Sequence, residues 1–259
     1  MSGTIGEPSQ SWTGGTVAEG IQCVLAPNPS PWTLEGTNTW VIGTMNSGCV
    51  VVDPGPADPG HLRKVADAIP GEIRAILLTH AHIDHSEGAP DLAELLRVPV
   101  ISHREIEGLD LGDMTLRMHK TPGHSSDSVC VTVSNVGGNY LLTGDTVLGR
   151  GTTLVAHPDG RLDEYFESLR YLRDHCLEQN VDTLLPGHGP ISRTPVELIA
   201  FYEAHRRERL EQVRAAVSQG ALTVAEVTAV VYSDVDPQVL PAAEMTVAAQ
   251  LEFLKEQNT

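Results

Sequence analysis

The stretch that most limits what this chain can become is Thr79-His80-Ala81-His82-Ile83-Asp84-His85-Ser86-Glu87-Gly88, where three histidines and an aspartate fall within six residues. It follows Ala75-Ile76-Leu77-Leu78, an aliphatic run that reads as a buried strand. Ala89 to Arg97 reads as a helix. The cluster is therefore expected on a tight strand-to-helix loop. Residues two apart at a strand end can project to one side, so His80 and His82 can reach one metal ion. Asp84 and His85 lie further round the turn and can face a second. Imidazole and carboxylate are ligands that bind zinc and its neighbours.

The same residue types recur at other strand ends. Asp53 follows Cys49-Val50-Val51-Val52, His124 follows Thr121-Pro122-Gly123, Asp145 follows Tyr140 to Gly144, and His188 follows Val181 to Gly187. In a layered α/β fold, loops at one end of the sheets converge into a site. His80, His82 and His124 then make a tris-imidazole site, and Asp84, His85 and His188 a second, with Asp145 able to bridge the two. Cations about 3.5–4 Å apart can hold a bridging hydroxide at neutral pH and stabilise charge on an attacked carbonyl or phosphoryl group. Asp53 reads equally as a turn residue before Pro54-Gly55 and as a group that orients a ligand by a hydrogen bond. The remaining histidines, His61, His103, His119, His157, His175 and His205, are expected in surface or helix roles.

Up to about residue 190 the chain alternates strand and helix with several hairpins. Beyond it the pattern is all helix, which divides the chain into 1–192 and 193–259. Strands are expected at 21–25, 39–43, 49–53, 73–78, 98–101, 115–118, 129–133, 140–143 and 181–185, with 1–20 loose and 103–112 irregular. Asp163 is expected to cap a helix running to about Gln179. Thr194-Pro195-Val196-Glu197 and Thr223-Val224-Ala225-Glu226 each combine an N-cap threonine with a glutamate at N3, the pattern of a capping box. Helix is expected from Pro237 to about Lys255, with Pro241 breaking its start.

Composition narrows the function. A formal net charge of −17 repels polyanions at long range, and 4% aromatics leave few surfaces for stacking bases or sugars. No run of 18 apolar residues exists to cross a membrane. Met1 to Gly20 lacks the basic start and apolar stretch of a secretion signal. Cys23, Cys49, Cys130 and Cys176 form no CxxC pair and are expected as buried thiols. The expected location is the cytoplasm.

His80-Ala81-His82-Ile83-Asp84-His85, followed in order by His124, Asp145 and His188, resembles the HxHxDH signature and ligand series of the metallo-β-lactamase superfamily. The resemblance covers about residues 20–190 and implies an αββα sandwich, an α/β fold, with a dinuclear site at one edge of the sheets. Gly36-Thr37-Asn38-Thr39-Trp40-Val41-Ile42-Gly43, Thr121-Pro122-Gly123-His124-Ser125, Thr143-Gly144-Asp145-Thr146-Val147-Leu148-Gly149, Gly151-Thr152-Thr153 and Pro186-Gly187-His188-Gly189-Pro190 resemble the lactamase-beta-2-like branch. That branch carries a C-terminal winged-helix-like domain, which the helical tail fits. Two departures stand out. The β-wing of a winged helix is expected to be shortened or missing in this tail. The tail is also acidic, with Arg206, Arg207, Arg209, Arg214 and Lys255 against ten Asp and Glu from Glu197 to Glu256. Arg206-Arg207-Glu208-Arg209 is therefore expected to make salt bridges along a helix face, and the tail to form a lid or a homodimer surface.

The expected activity is a dinuclear metal-dependent hydrolase on a small acyl thioester, ester or lactone, with two Zn²⁺ per chain or Mn or Fe in their place. The branch resemblance implies an alternative, an endoribonuclease on single-stranded RNA. A non-catalytic interaction module is disfavoured by the complete ligand set. β-Lactamase activity is disfavoured because Asp145 stands where zinc β-lactamases usually offer a cysteine. Hydroxyacylglutathione hydrolase shares the ligand set, but its glutathione-binding residues have no clear counterpart in this tail. The general acid is expected to be a metal-bound water or Asp84.

Overall fold

A computed structural model describes residues 11–102, 107–233 and 239–257. Two mixed sheets form its centre. The first runs β1 (Gly15–Ala18), β2 (Ile21–Leu25), β3 (Asn38–Gly43), β4 (Gly48–Val52), β5 (Glu72–Leu77), β6 (Val100–Ile101) in spatial order. The second runs β11 (Val181–Pro186), β10 (Gly138–Gly144), β9 (Val129–Asn135), β8 (Thr115–Lys120), β7 (Gly108–Asp110). Helices α1 (Pro59–Ala68) and α3 (Ala89–Leu96) cover the first sheet, α2 (Ile83–Ser86) is a single turn after β5, and α4 (Leu162–Glu178) covers the second sheet. The result is the expected αββα sandwich.

The alternation of side chains along a strand builds this layering. Val50 and Val52 of β4 point into the core between the sheets with Leu77, Val131, Val133 and Leu142, while Val51 points outward onto Leu62, Val65 and Leu92. In β10, Tyr140 and Leu142 face the inter-sheet core and Leu141 faces Leu169 and Leu172 of α4. Strands buried on both faces read as continuous apolar runs, which is why the sequence marks them clearly.

Two parallel pairings place the site. β4 pairs with β5 in the register Val52↔Leu77, and β10 with β11 in the register Leu142↔Leu185. Their C-terminal ends are bonded onward, Asp53 N to Leu77 O at 3.0 Å and Gly187 N to Gly144 O at 2.8 Å. The loops bearing Asp53, the histidine cluster, Asp145 and His188 thus leave the sheets side by side.

The tail consists of α5 (Pro195–Ser218), α6 (Val224–Val231) and α7 (Leu240–Glu256). Leu198, Ile199, Tyr202, Leu210 and Val213 of α5 are buried in one core with Leu169 and Leu172 of α4 and Leu184 of β11. The first helix of the tail is therefore a structural part of the sandwich.

Several local expectations are corrected. The α4 cap is Arg161 without a side-chain cap bond, and Asp163 lies inside the first turn, paired to Arg161 at 2.9 Å. Thr194 does occupy the N-cap of α5, but its side chain makes no cap bond, while the Thr223 box forms fully. Pro241 falls in the first turn of α7, where its missing N–H would have had no partner, so it opens the helix instead of breaking it. Gly108–Asp110, inside the stretch expected to be irregular, pairs with β8 as an edge strand. His103 and Pro237 lie outside the described residues. The four cysteines are free and buried, as expected. In the basic patch only Arg207 makes the expected helix-face bridge, to Glu203 at 2.8 Å. Arg209 donates to Val231 O and lies over the Tyr232 ring, and Arg206 is buried. No helix among the described residues is long and apolar enough to cross a membrane.

Candidate metal centre

The end of β5 and the turn of α2 carry the histidine cluster. Leu77 ends the strand, His82 sits at the N-cap of α2, and Asp84 and His85 fall within its single turn. His124 stands between β8 and β9, Asp145 directly after β10, and His188 two residues after β11. All seven residues singled out in the sequence meet. One ligand atom from each of His80, His82 and His124 can be chosen within 4.8 Å of the others, and the same holds for Asp84, His85, Asp145 and His188.

Within the first group, His82 Nδ1 lies 3.1 Å from His80 Nε2 and 3.0 Å from His124 Nε2. Within the second, His188 Nε2 lies 3.1 Å from Asp84 Oδ2, 3.2 Å from His85 Nε2 and 3.4 Å from Asp145 Oδ2. Asp145 faces both groups, with Oδ2 3.9 Å from His124 Nε2 and Oδ1 3.4 Å from His85 Nε2. His82 is the exposed member, and His85 and His188 are fully buried.

The rings are aimed by hydrogen bonds at their far nitrogens. His85 Nδ1 donates to Asp53 Oδ2 at 2.9 Å, His124 Nδ1 to Leu154 O at 2.6 Å, and His188 Nδ1 to Gly36 O at 3.2 Å. His80 Nδ1 donates to Thr79 Oγ1 at 3.0 Å, and that hydroxyl donates to Asp53 Oδ2 at 2.6 Å. Each of these four imidazoles therefore turns its Nε2, the nitrogen free to bind a cation or a proton, to the cleft. Lone pairs at about 3 Å repel unless a proton or cation stands between them, and Asp145 Oδ1 is buried without a hydrogen-bond partner. The donor set fits divalent cations.

Electrostatics agree. Burial keeps His80 well below the usual imidazole range, with His85 and His124 adding to the effect, so it is a neutral ligand. Burial opposes ionisation of Asp145, but the charges of His188 and His85 override it and hold the carboxyl well below the usual carboxylate range. The same contest ends with Asp84 lowered, His188 and His85 prevailing over burial. Burial also works against charging His85 and His188, yet Asp145 raises both, with Asp53 helping at His85 and Asp84 at His188, which reaches about 9. Two carboxylates in a buried pocket demand positive charge, and without a metal they draw protons onto their own histidines.

Asp53 proves to be the orienting residue as well as the turn residue. Its Oδ1 accepts from Thr79 N at 2.8 Å and its Oδ2 serves both His85 and Thr79. Thr79 was not singled out in the sequence, although its place beside His80 was a signal. Leu154 O and Gly36 O act through backbone atoms, and no side-chain pattern marks them. Of the other histidines, His61 lies in α1, buried and 3.0 Å from Thr39 Oγ1, His157 is exposed, and His205 stacks on Phe201 within α5. His119 departs from expectation, being buried on β8 with Thr132 and Tyr171 as partners.

Comparison with known proteins accords with this geometry. Residues 32–115 and 105–188 match the family model of the Metallo-beta-lactamase superfamily, and residues 223–259 match the Beta-lactamase associated winged helix domain. The chain is 28% identical to a Beta-lactamase-like protein 2 homolog of Drosophila melanogaster, over 91% of this chain and 87% of that protein. It is 29% identical to an Atrochrysone carboxyl ACP thioesterase of Passalora fulva, over 81% of this chain and 67% of that protein. A crystal structure of a beta-lactamase domain protein from Burkholderia ambifaria superposes with a TM-score of 0.76 at 22% identity, covering 95% and 88% of the two chains.

Proposed function

This chain belongs to the metallo-beta-lactamase superfamily and is a hydrolase, and we propose from that premise that it cleaves an acyl thioester with two divalent cations in the cleft. The observation that carries the reading is Asp145, one carboxylate placed between a tris-imidazole group and an Asp–His–His group. His80, His82 and His124 would hold one cation, Asp84, His85 and His188 the other, and Asp145 would contact both. Zinc suits this donor set, and manganese or iron could take the same ligands. Bound there, the cations supply Lewis acidity toward the carbonyl oxygen and lower the pKa of water.

The chain's own groups do the rest. Water attacks the carbonyl carbon and the carbon–sulfur bond breaks. Asp84, ionised and only partly buried, can take the water's proton and return it to the leaving sulfur. Asp53 keeps His85 and, through Thr79, His80 in the tautomer that offers Nε2. The acyl class is supported by the thioesterase named among the relatives and by the charge of −17. Neither the geometry nor these relatives add support for single-stranded RNA or for a homodimer. The division at 192/193 stays within this proposal, with α5 shared between both parts.

The test is direct. Purified protein is expected to hold close to two transition-metal ions per chain by elemental analysis and to hydrolyse acyl thioesters at a rate that hardly changes with salt. Full activity of metal-free protein would sink the proposal. Cleavage of single-stranded RNA with a steep loss at higher salt would replace it with the nuclease reading.

A further inference from the structure

Among the described residues Asp145 Oδ1 makes no hydrogen bond, so beyond its ion pairs with His85 and His188 this carboxylate relies on how its loop is held. The holding comes from outside the loop. Thr153 Oγ1 donates to Asp145 O. Tyr165 Oη, from α4, donates to Thr146 O at 2.7 Å. Tyr202 Oη, from α5, accepts from Leu148 N at 3.0 Å and donates to Leu148 O at 3.2 Å. Both tyrosines are fully buried. A hydroxyl that both donates to and accepts from one residue fixes that peptide on two sides, and phenylalanine in the same volume could do neither.

One turn after Tyr202 stands Arg206, 3% exposed, its guanidinium 5.7 Å from the centre of the Tyr165 ring. Among the described residues its Nε and Nη2 have no hydrogen-bond partner. A buried cation without an anion is unfavourable, and such departures from good packing concentrate where function is served. The aromatic face takes part of the charge. A positive charge beside the phenol also makes its O–H a stronger donor to Thr146 O.

We propose that Tyr202 and Arg206 are positioning residues for the metal centre. The first helix of the tail fixes the Asp145 loop, Tyr202 directly at Leu148 and Arg206 through Tyr165 at Thr146. Resting on the metal-dependent reading above, this gives α5 a part in the chemistry that bulk packing alone would not. The loop's other end is bonded through Gly149 N to His188 O at 2.9 Å, so a shift at Leu148 would reach two ligands.

The experiment uses full-length protein in four forms: wild type, Tyr202→Phe, Arg206→Met, and Val213→Ala as a core truncation on the same helix. Zinc affinity is measured against a chromophoric chelator, and the visible spectrum of the cobalt-loaded protein is recorded. Tyr202→Phe is expected to weaken the more loosely held metal about tenfold, shift the cobalt bands, and lower thioester kcat about tenfold with KM unchanged. Arg206→Met should move the same readouts in the same direction, and it decides the matter if Tyr202→Phe does not fold. Val213→Ala should lower the melting temperature and leave the metal readouts alone. Zinc affinities and cobalt spectra like those of wild type in the folded variants would overturn the proposal. A wild-type chain that binds no metal would instead overturn the functional reading beneath it.

Discussion

Asp53 holds its backbone at φ 52°, a left-handed conformation that costs a non-glycine residue about 1 kcal/mol or more, and spends both carboxylate oxygens behind the metal cleft. Asp53→Asn would put an amide N–H₂ where donors already point. We expect it to weaken metal affinity by about 10–100-fold while the chain stays folded, measured by chelator competition beside a thermal melt. A second residue carries a pH signature away from the cleft. Burial, with His175 and Arg117 adding to it, pushes the His119 imidazole down to about 4. Its unfolded value is near 6.5, so between pH 6.5 and 4 the unfolded chain binds the extra proton and stability falls as pH falls. Melting temperatures taken across that range should drop with a steeper slope in the wild type than in His119→Gln. Equal slopes would show that His119 is not the sensor. The candidate ligands were readable from sequence because ligand chemistry needs particular side chains. His119 was not, because its burial depends on α4 lying across the sheet to bring Tyr171 within 2.6 Å.

Elements were legible where one physical demand ruled them. The central strands are apolar on both faces, and the Thr223 box satisfies two backbone donors at once, so both declared themselves. Caps failed where tertiary contacts chose otherwise. Asp163 is drawn to Arg161, which also meets Glu256 of α7 at 3.2 Å, so α4 starts one residue before it. The turn before His124 shows how an element's start serves the site. Gly123 has φ 134°, and a Cβ there would meet the backbone of Tyr165 in the first turn of α4. Arg161 N bonds Gly123 O at 3.0 Å, locking the two together. Gly123→Ala should therefore cost about 2 kcal/mol or more and reduce metal loading, because the displaced turn carries His124 with it. A variant with normal loading and stability would contradict this account of the turn.

At the scale of the molecule, the tail was expected as a lid or a dimer surface, and its first helix is instead part of the core. Ile199, Tyr202 and Val213 have no exposure and share a cluster with Leu169 and Leu184. Residues 1–192 expressed alone should expose that apolar face, so we expect an aggregating or molten product with strong binding of a hydrophobic dye. A well-folded, soluble fragment with a sharp melting transition would show that the tail is dispensable for folding. Acidity acts at this scale too, since a net charge of −17 shapes encounters with partners over a Debye length and says little about the fold.

Sequence alone determined the candidate donor set, its order along the chain and the central strands, because metal coordination demands specific side chains and strand burial demands specific periodicity, while the sandwich came from the family resemblance those motifs carry. It also fixed the helical character of the tail. Tertiary structure alone decided that Asp53 stands behind two histidines at once, that Leu154 and Gly36 orient rings through backbone carbonyls, and that α5 reaches the Asp145 loop with Tyr202. Those contacts join residues far apart in the chain through groups every residue possesses, or through a tyrosine that looks like any core aromatic until its hydroxyl is seen between the N–H and the carbonyl of Leu148.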